Sequence, residues 1–257
     1  MKLYTNTPRL IDEDPTITAY IPEHKSSDCA VIIFPGGAYV GRAAHEGKGY
    51  CEFLNENGIT AFDVAYRVSP NRFPSPLLDA RRAVRLVRSM AEQYGIDKNK
   101  IAVMGSSAGG HLAATVSTYT APLEGEYTDS IDTEDFLPNA QILCYPVIAN
   151  PLDFSFSHKG SYKNLLGSNA DDELIRSLDP LRNVTDSTPP AFIWHTSQDT
   201  GVPPENSLRY ASELISHKIS TELHLFPEGP HGLGLAPSIP HTAQWGELLV
   251  NWLNHVF

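Results

Sequence analysis

The run Ile101-Ala102-Val103-Met104-Gly105-Ser106-Ser107-Ala108-Gly109-Gly110-His111-Leu112-Ala113-Ala114 changes character in its middle. Ile101 to Met104 read as a buried strand, and His111 to Ala114 open a helix, so Ser107 sits at the turn between them with Gly105 and Gly109 two residues to either side. A strand that reverses this sharply into a helix needs room on both flanks, which glycine supplies. The serine is thereby presented outward on a strained backbone. The N–H of Ala108 falls at the positive end of the helix dipole, where negative charge is favoured. This setting suits a nucleophile whose attack creates an oxyanion beside it.

The rest of the chain repeats the strand-then-helix rhythm. Strands are predicted over Ala30 to Phe34, Thr60 to Tyr66, Ile101 to Met104, Ala140 to Cys144, Ala191 to His195 and Glu222 to Phe226, with helical stretches between. Such alternation predicts an α/β fold with a mostly parallel central sheet and helices on both faces. Thr16 to Ile21 alternates Ile17, Ala19 and Ile21, which places an antiparallel strand at the sheet edge. Between Pro76 and Tyr94 apolar residues recur at helical spacing, and Gly95 ends the helix. Arg81, Arg82, Arg85 and Arg88 fill its remaining positions, read as a solvated face or one paired locally with Asp79. Asp129 to Asp135 lacks the glycine and glutamate spacing of a calcium loop and is read as a solvated surface loop. Asn150 to Pro190 breaks the rhythm with Pro151, Gly160, Gly167, Pro180, Pro189 and Pro190, and is expected to form a short inserted cap or lid on one domain spanning residues 1–257.

Composition narrows the classes. The chain has 257 residues, 41% hydrophobic and 19% charged, with a formal charge of -11. That acidity argues against nucleic acid or an anionic membrane as partner. No apolar run approaches the roughly 20 residues that span a bilayer. Met1-Lys2-Leu3-Tyr4-Thr5-Asn6 lacks the apolar stretch of a secretory signal, so a cytoplasmic location is expected. Cys29, Cys51 and Cys144 suggest neither a disulfide framework nor a zinc site and read as buried thiols. A homo-oligomer is compatible with the sequence.

A serine is unreactive at its own pKa, so the chain must also supply a base to take its proton and a carboxylate to hold that base. In this class of sheet the order is serine, acid, histidine, the latter two on loops at the carboxyl ends of later strands. Asp199 follows the strand Ala191 to His195, and His231 follows Glu222 to Phe226 in Pro227-Glu228-Gly229-Pro230-His231-Gly232. Glu205 lies at a helix start, where a dipole role explains it. His195 and His224 fall within strands, His217 near a helix end, and His241 and His255 at the last helix; these are read as structural or exposed. Oxyanion donors should also come from the loop after an early strand, where Pro35-Gly36-Gly37-Ala38-Tyr39 follows Val31 to Phe34; Gly37 and Ala38 are assigned there with Ala108.

Taken together, Phe34-Pro35-Gly36-Gly37-Ala38-Tyr39, Ala65-Tyr66-Arg67-Val68, Gly105 through Ala113, and the Asp199 and Pro230-His231-Gly232 loops resemble the bacterial α/β-hydrolase esterases related to acetyl esterases and acetylxylan esterases, within the broader hormone-sensitive-lipase-like group. The resemblance implies the α/β-hydrolase fold and hydrolysis of a small-molecule ester through Ser107, His231 and Asp199, with no metal or organic cofactor. Lipase-like members carry His-Gly-Gly where this chain has Pro35-Gly36-Gly37, and Asp where it has Ser106. Both departures point toward the carbohydrate-esterase relatives, which implies O-acetyl groups of sugars as substrates. Tyr39 and Tyr66 either line the pocket and stack on a sugar face or pack in the core. Two rivals are set aside: a prolyl-oligopeptidase-type peptidase normally brings a large extra domain, and non-catalytic binding proteins of this fold typically lose one of the three residues.

Overall fold

The computed structural model describes residues 1–9, 11–126 and 128–257. Its strands are β1 (Thr16–Tyr20), β2 (Ala30–Phe34), β3 (Thr60–Ala65), β4 (Ile101–Ser106), β5 (Ala140–Cys144), β6 (Ala191–Thr196) and β7 (Thr221–Phe226). They form one sheet in the order β1-β3-β2-β4-β5-β6-β7. β1 runs antiparallel to β3, with Thr16 opposite Ala65, and the other pairings are parallel. The helices are α1 (Lys48–Glu56), α2 (Ser75–Ser89), α3 (Ala91–Tyr94), α4 (Ser107–Thr118), α5 (Lys159–Leu166), α6 (Asp172–Ser177), α7 (Pro180–Asn183), α8 (Glu205–Ser216), α9 (Pro240–Ala243) and α10 (Trp245–Val256). The helix predicted from Pro76 to Tyr94 is two, meeting at Met90, and Gly95 closes the second with φ 60°.

Central strands have both faces covered, which is why β2 and β4 read as unbroken apolar runs. On one face Ile32, Phe34, Ile101 and Val103 pack with Val84, Val87 and Leu112 of α2 and α4. On the other, Val31, Ile33, Ala102 and Met104 pack with Tyr50, Trp194, Trp245 and Leu249, the two indoles stacked at 4.7 Å. Each fully buried Val, Leu, Ile, Phe or Met among them stabilises by roughly 1.5–3 kcal/mol.

The basic face of α2 departs from expectation. Arg81, Arg82, Arg85 and Arg88 are all buried, and Asp79 pairs with Arg67 rather than with them. Arg81 and Arg85 meet Glu126, Arg82 meets Asp129 and Asp132, and Arg88 donates to the carbonyls of Lys98 and Leu137. The connection between α4 and β5 lies across this face, so Asp132 of the acidic stretch is 1% exposed rather than solvated. A pattern of alternating charge and apolar residues shows that a face is polar; which segment covers it depends on contacts more than 40 residues apart.

His111 on α4 is also internal. Its Nδ1 accepts from the Tyr39 hydroxyl at 2.8 Å, and its Nε2 donates to the Leu178 carbonyl at 3.0 Å. Burial pushes its pKa down to about 4, partly opposed by the Leu178 carbonyl. The folded protein therefore keeps the ring neutral while the unfolded chain protonates below about 6.5. Stability from this site is whole above that value and is lost as pH falls from there to about 4, by roughly 3 kcal/mol. We expect the thermal midpoint of the wild type to fall more steeply between pH 7 and 4.5 than that of His111→Gln. Equal slopes would show that His111 does not carry this acid sensitivity.

Candidate active site

Ser107 stands where β4 enters α4, with φ 53°, a left-handed backbone that a residue bearing a side chain adopts only under constraint. The constraint is visible in its neighbours. A Cβ on Gly105 would lie 2.1 Å from the Gly109 carbonyl oxygen, and one on Gly109 would lie 2.0 Å from that of Phe34. Both glycines thus permit close backbone approach. The Ser107 carbonyl is pinned by the Val147 N–H at 2.9 Å, and the residue remains 8% exposed.

Ser107 Oγ lies 2.8 Å from His231 Nε2, and His231 Nδ1 lies 2.6 Å from Asp199 Oδ2. An ionised carboxylate only accepts, so Nδ1 carries the proton and Nε2 is left to accept from the serine hydroxyl. Asp199 Oδ1 takes the N–H groups of Gly201 and Val202, both at 2.9 Å. Burial would raise the Asp199 pKa, but hydrogen bonds from His195, His231 and the Val202 backbone outweigh it and hold the carboxyl well below the usual carboxylate range. The acid and histidine loops are stitched together: Thr196 Oγ1 donates to the Gly229 carbonyl at 2.7 Å, and the Gly229 N–H donates to Gln198 at 3.1 Å.

His195, expected from its place within β6 to be structural or exposed, belongs to this group. It is fully buried, and its Nε2 lies 3.2 Å from Asp199 Oδ2 and 2.8 Å from the Val202 carbonyl. Both are acceptors, so Nε2 is protonated and Nδ1 accepts from Ser207 Oγ at 2.7 Å. The sequence trace of this role is its position four residues before Asp199, near the end of the strand that leads into the acid's loop.

After β2 the chain turns tightly. The N–H groups of Val40 and Gly41 return to the Gly37 carbonyl, and the Gly36 N–H is taken by Glu46 Oε2 at 2.8 Å. The turn leaves the N–H groups of Gly37 and Ala38 outside these bonds, at φ 141° and 52°. A Cβ on Gly37 would lie 2.3 Å from the Gly41 carbonyl oxygen. Ala108 is at the first turn of α4, where helix N–H groups have no partner within the helix. Asn164 of α5 donates to the Ala38 carbonyl at 2.8 Å, so the segment 150–190 is docked against this loop.

Of the two roles open to Tyr39 and Tyr66, substrate binding is corrected and packing in the core is what the structure shows. They are 1% and 0% exposed, packed edge-on to each other at 6.2 Å, and present no ring face to a ligand. The Tyr39 hydroxyl bonds His111, and the Tyr66 hydroxyl donates to the Pro35 carbonyl at 2.7 Å. The consecutive positive φ values at Ala38 and Tyr39 coincide with a side chain turned inward rather than toward solvent. Both rings brace the loop from beneath. Among the described residues no cluster of three or more His, Cys, Asp or Glu side chains is placed to hold a metal, and no helix is long and apolar enough to cross a membrane.

Comparison with known proteins bears on this arrangement. The chain is 35% identical over 227 residues to endo-1,4-beta-xylanase B of Butyrivibrio fibrisolvens, a match covering 86% of this chain and 35% of that protein. It is 33% identical over 250 residues to the acetylxylan esterase of Xylanibacter ruminicola, covering 95% of this chain and 49% of that one. The chain thus spans about half, or less, of the length of these curated relatives. The crystal structure of the acetyl ester-xyloside bifunctional hydrolase from Caldicellulosiruptor lactoaceticus superposes with a TM-score of 0.93 at 41% identity, covering 100% of this chain and 95% of that one. The profile of the BD-FAE family matches residues 17–214. With β2 to β6, the serine turn and most of its length inside that match, the chain has the α/β-hydrolase fold and belongs to the BD-FAE family.

Proposed function

We propose that the chain is a serine carboxylesterase that removes short acyl groups, acetyl above all, from esters of sugars such as xylo-oligosaccharides. The carrying observation is the unbroken line from Ser107 through His231 to Asp199, at 2.8 and 2.6 Å, beside the N–H groups of Gly37, Ala38 and Ala108. The names of the relatives, an acetylxylan esterase and an acetyl ester-xyloside hydrolase among them, support the acyl group and the sugar.

Ser107 Oγ attacks the ester carbonyl carbon while its proton passes to His231 Nε2, and Asp199 steadies the resulting imidazolium. The tetrahedral oxyanion is held by the N–H groups of Gly37, Ala38 and Ala108; one such donor is typically worth about 2.7–4 kcal/mol in the transition state. Collapse expels the alcohol, which leaves with the proton from His231, and an acyl-serine remains. Water then gives its proton to His231 and attacks the acyl carbon; collapse returns that proton to Ser107 and releases the acid. The bond from Asn164 to the Ala38 carbonyl, which ties the segment 150–190 to the oxyanion loop, supports its assignment as the lid.

Rates on p-nitrophenyl acetate, butyrate and octanoate, beside acetate release from acetylated xylo-oligosaccharides, test the substrate. We expect kcat/KM to fall steadily as the acyl chain lengthens and acetate to be released from the oligosaccharide. A preference for octanoate would redirect the reading to longer lipid esters and leave the three residues in place.

A further inference from the structure

Beneath the site runs a line of buried polar groups that the mechanism above does not use. Glu46, 3% exposed, accepts from the Gly36 N–H at 2.8 Å with one oxygen and from the Tyr145 hydroxyl at 2.7 Å with the other. The Tyr145 oxygen in turn accepts the Gly234 N–H at 2.9 Å. Its own proton is committed to Glu46, so Tyr50, 3.2 Å away, donates to it and accepts from Ser106 Oγ at 2.9 Å. The line therefore touches the residue before Gly37, the loop three residues beyond His231, and the residue before Ser107.

We propose that Glu46 is a positioning residue: acting through Tyr145, its carboxylate sets the oxyanion loop and the histidine loop in one register around Ser107. The proposal rests on the esterase reading. A buried carboxylate is costly unless it is compensated. Among the described residues the basic side chain within ion-pair reach is His45, at 3.8 Å and 58% exposed, so the carboxylate is compensated chiefly by the hydrogen bonds from Gly36 and Tyr145. His45 itself bonds the Gly232 carbonyl at 3.0 Å, one residue past His231. Adjacent residues 45 and 46 thus hold the histidine loop at both 232 and 234. Tyr145 also sets its ring edge-on to His231 at 5.2 Å and 74°, and it does so from φ 37°, a conformation held by its N–H bond to the Trp194 carbonyl at 2.8 Å and by its hydroxyl. An apolar side chain at 46 would fill the space without joining the two loops. Oxyanion donors and base must be placed together, and a displacement of about 1 Å costs roughly a hundredfold in rate.

Glu46→Gln keeps the volume but has one acceptor oxygen, so Gly36 and Tyr145 no longer each donate to an oxygen of their own, and its NH2 is set against a Tyr145 oxygen that already accepts from Gly234 and Tyr50. Tyr145→Phe keeps the ring on His231 and removes the hydroxyl. Turnover of p-nitrophenyl acetate should be normalised to sites titrated with a fluorophosphonate and set beside inhibition by a trifluoromethyl ketone, which forms a tetrahedral adduct. In both variants we expect kcat per titrated site to fall roughly 10- to 100-fold, with KM within about twofold and ketone affinity falling in parallel. The double variant should be no worse than the poorer single one, as for residues acting as a unit. The proposal is overturned if kcat per titrated site stays within about twofold of wild type while only the thermal midpoint or the titratable fraction drops, or if the two losses multiply in the double variant. If Glu46→Gln does not fold, Tyr145→Phe decides alone on the same readings. Failure of the wild type to label strikes the nucleophile assignment instead, and so is told apart from failure of the tie.

Discussion

Ser107→Ala is expected to lower kcat on p-nitrophenyl acetate by on the order of a millionfold, the loss seen when the nucleophile of such a unit is removed. The substitution deletes one oxygen at a site that is 8% exposed, and it leaves the turn's glycines and the Val147 bond to the residue 107 carbonyl untouched. Folding should therefore be nearly unchanged, because alanine tolerates the left-handed backbone no worse than serine does. Any residual rate would come from the N–H groups of Gly37, Ala38 and Ala108, which still polarise an ester carbonyl for attack by water. A fluorophosphonate should label the wild type and not the variant. Equal labelling of both would place the nucleophile elsewhere.

Asp199→Asn should cost on the order of ten-thousandfold in kcat, for a reason of proton placement rather than shape. Oδ1 of Asp199 accepts two backbone N–H groups, from Gly201 and Val202, so an asparagine keeps its oxygen there. Its NH2 then faces His231 Nδ1 and His195 Nε2, each now donating to the carboxylate. His231 can answer by moving its proton to Nε2, which makes it a donor toward Ser107 and abolishes its use as a base. Turnover within about tenfold of wild type would show that the acid is another residue. A second consequence concerns pH. Because the carboxyl is held below its usual range, its contribution to stability is whole above the unfolded value near 3.9 and is lost as pH falls through the folded one. The variant should accordingly be less stable at neutral pH and lose less on acidification.

The elements that position the site were legible because they depend on short-range rules. Ala30–Phe34 and Ile101–Ser106 read as buried strands from their unbroken apolar character, and Gly105 and Gly109 read as a sharp turn because nothing larger fits beside a neighbouring carbonyl. Asp199 and His231 could be named from their places just past strand ends, and the structure brings both to Ser107 from 92 and 124 residues away in the chain. Helix α2 was legible as amphipathic, but the burial of its arginines was not, since the acidic residues covering them come from another connection.

The alternation of strands and helices, the strained turn at Ser107, and the residue types able to take a proton and hold an oxyanion can all be read from the chain alone. These follow from local sterics and periodicity, which a run of ten or fifteen residues carries within itself. That Tyr39 and Tyr66 brace the loop from below, that His195 supports Asp199, and that Glu46 joins Gly36 to Tyr145 emerges from the folded arrangement. Those roles depend on which side chains meet across the sheet's carboxyl edge. A tyrosine or glutamate reads the same in the chain whether it faces solvent or, as Tyr145 and Glu46 do, a side chain 99 residues away.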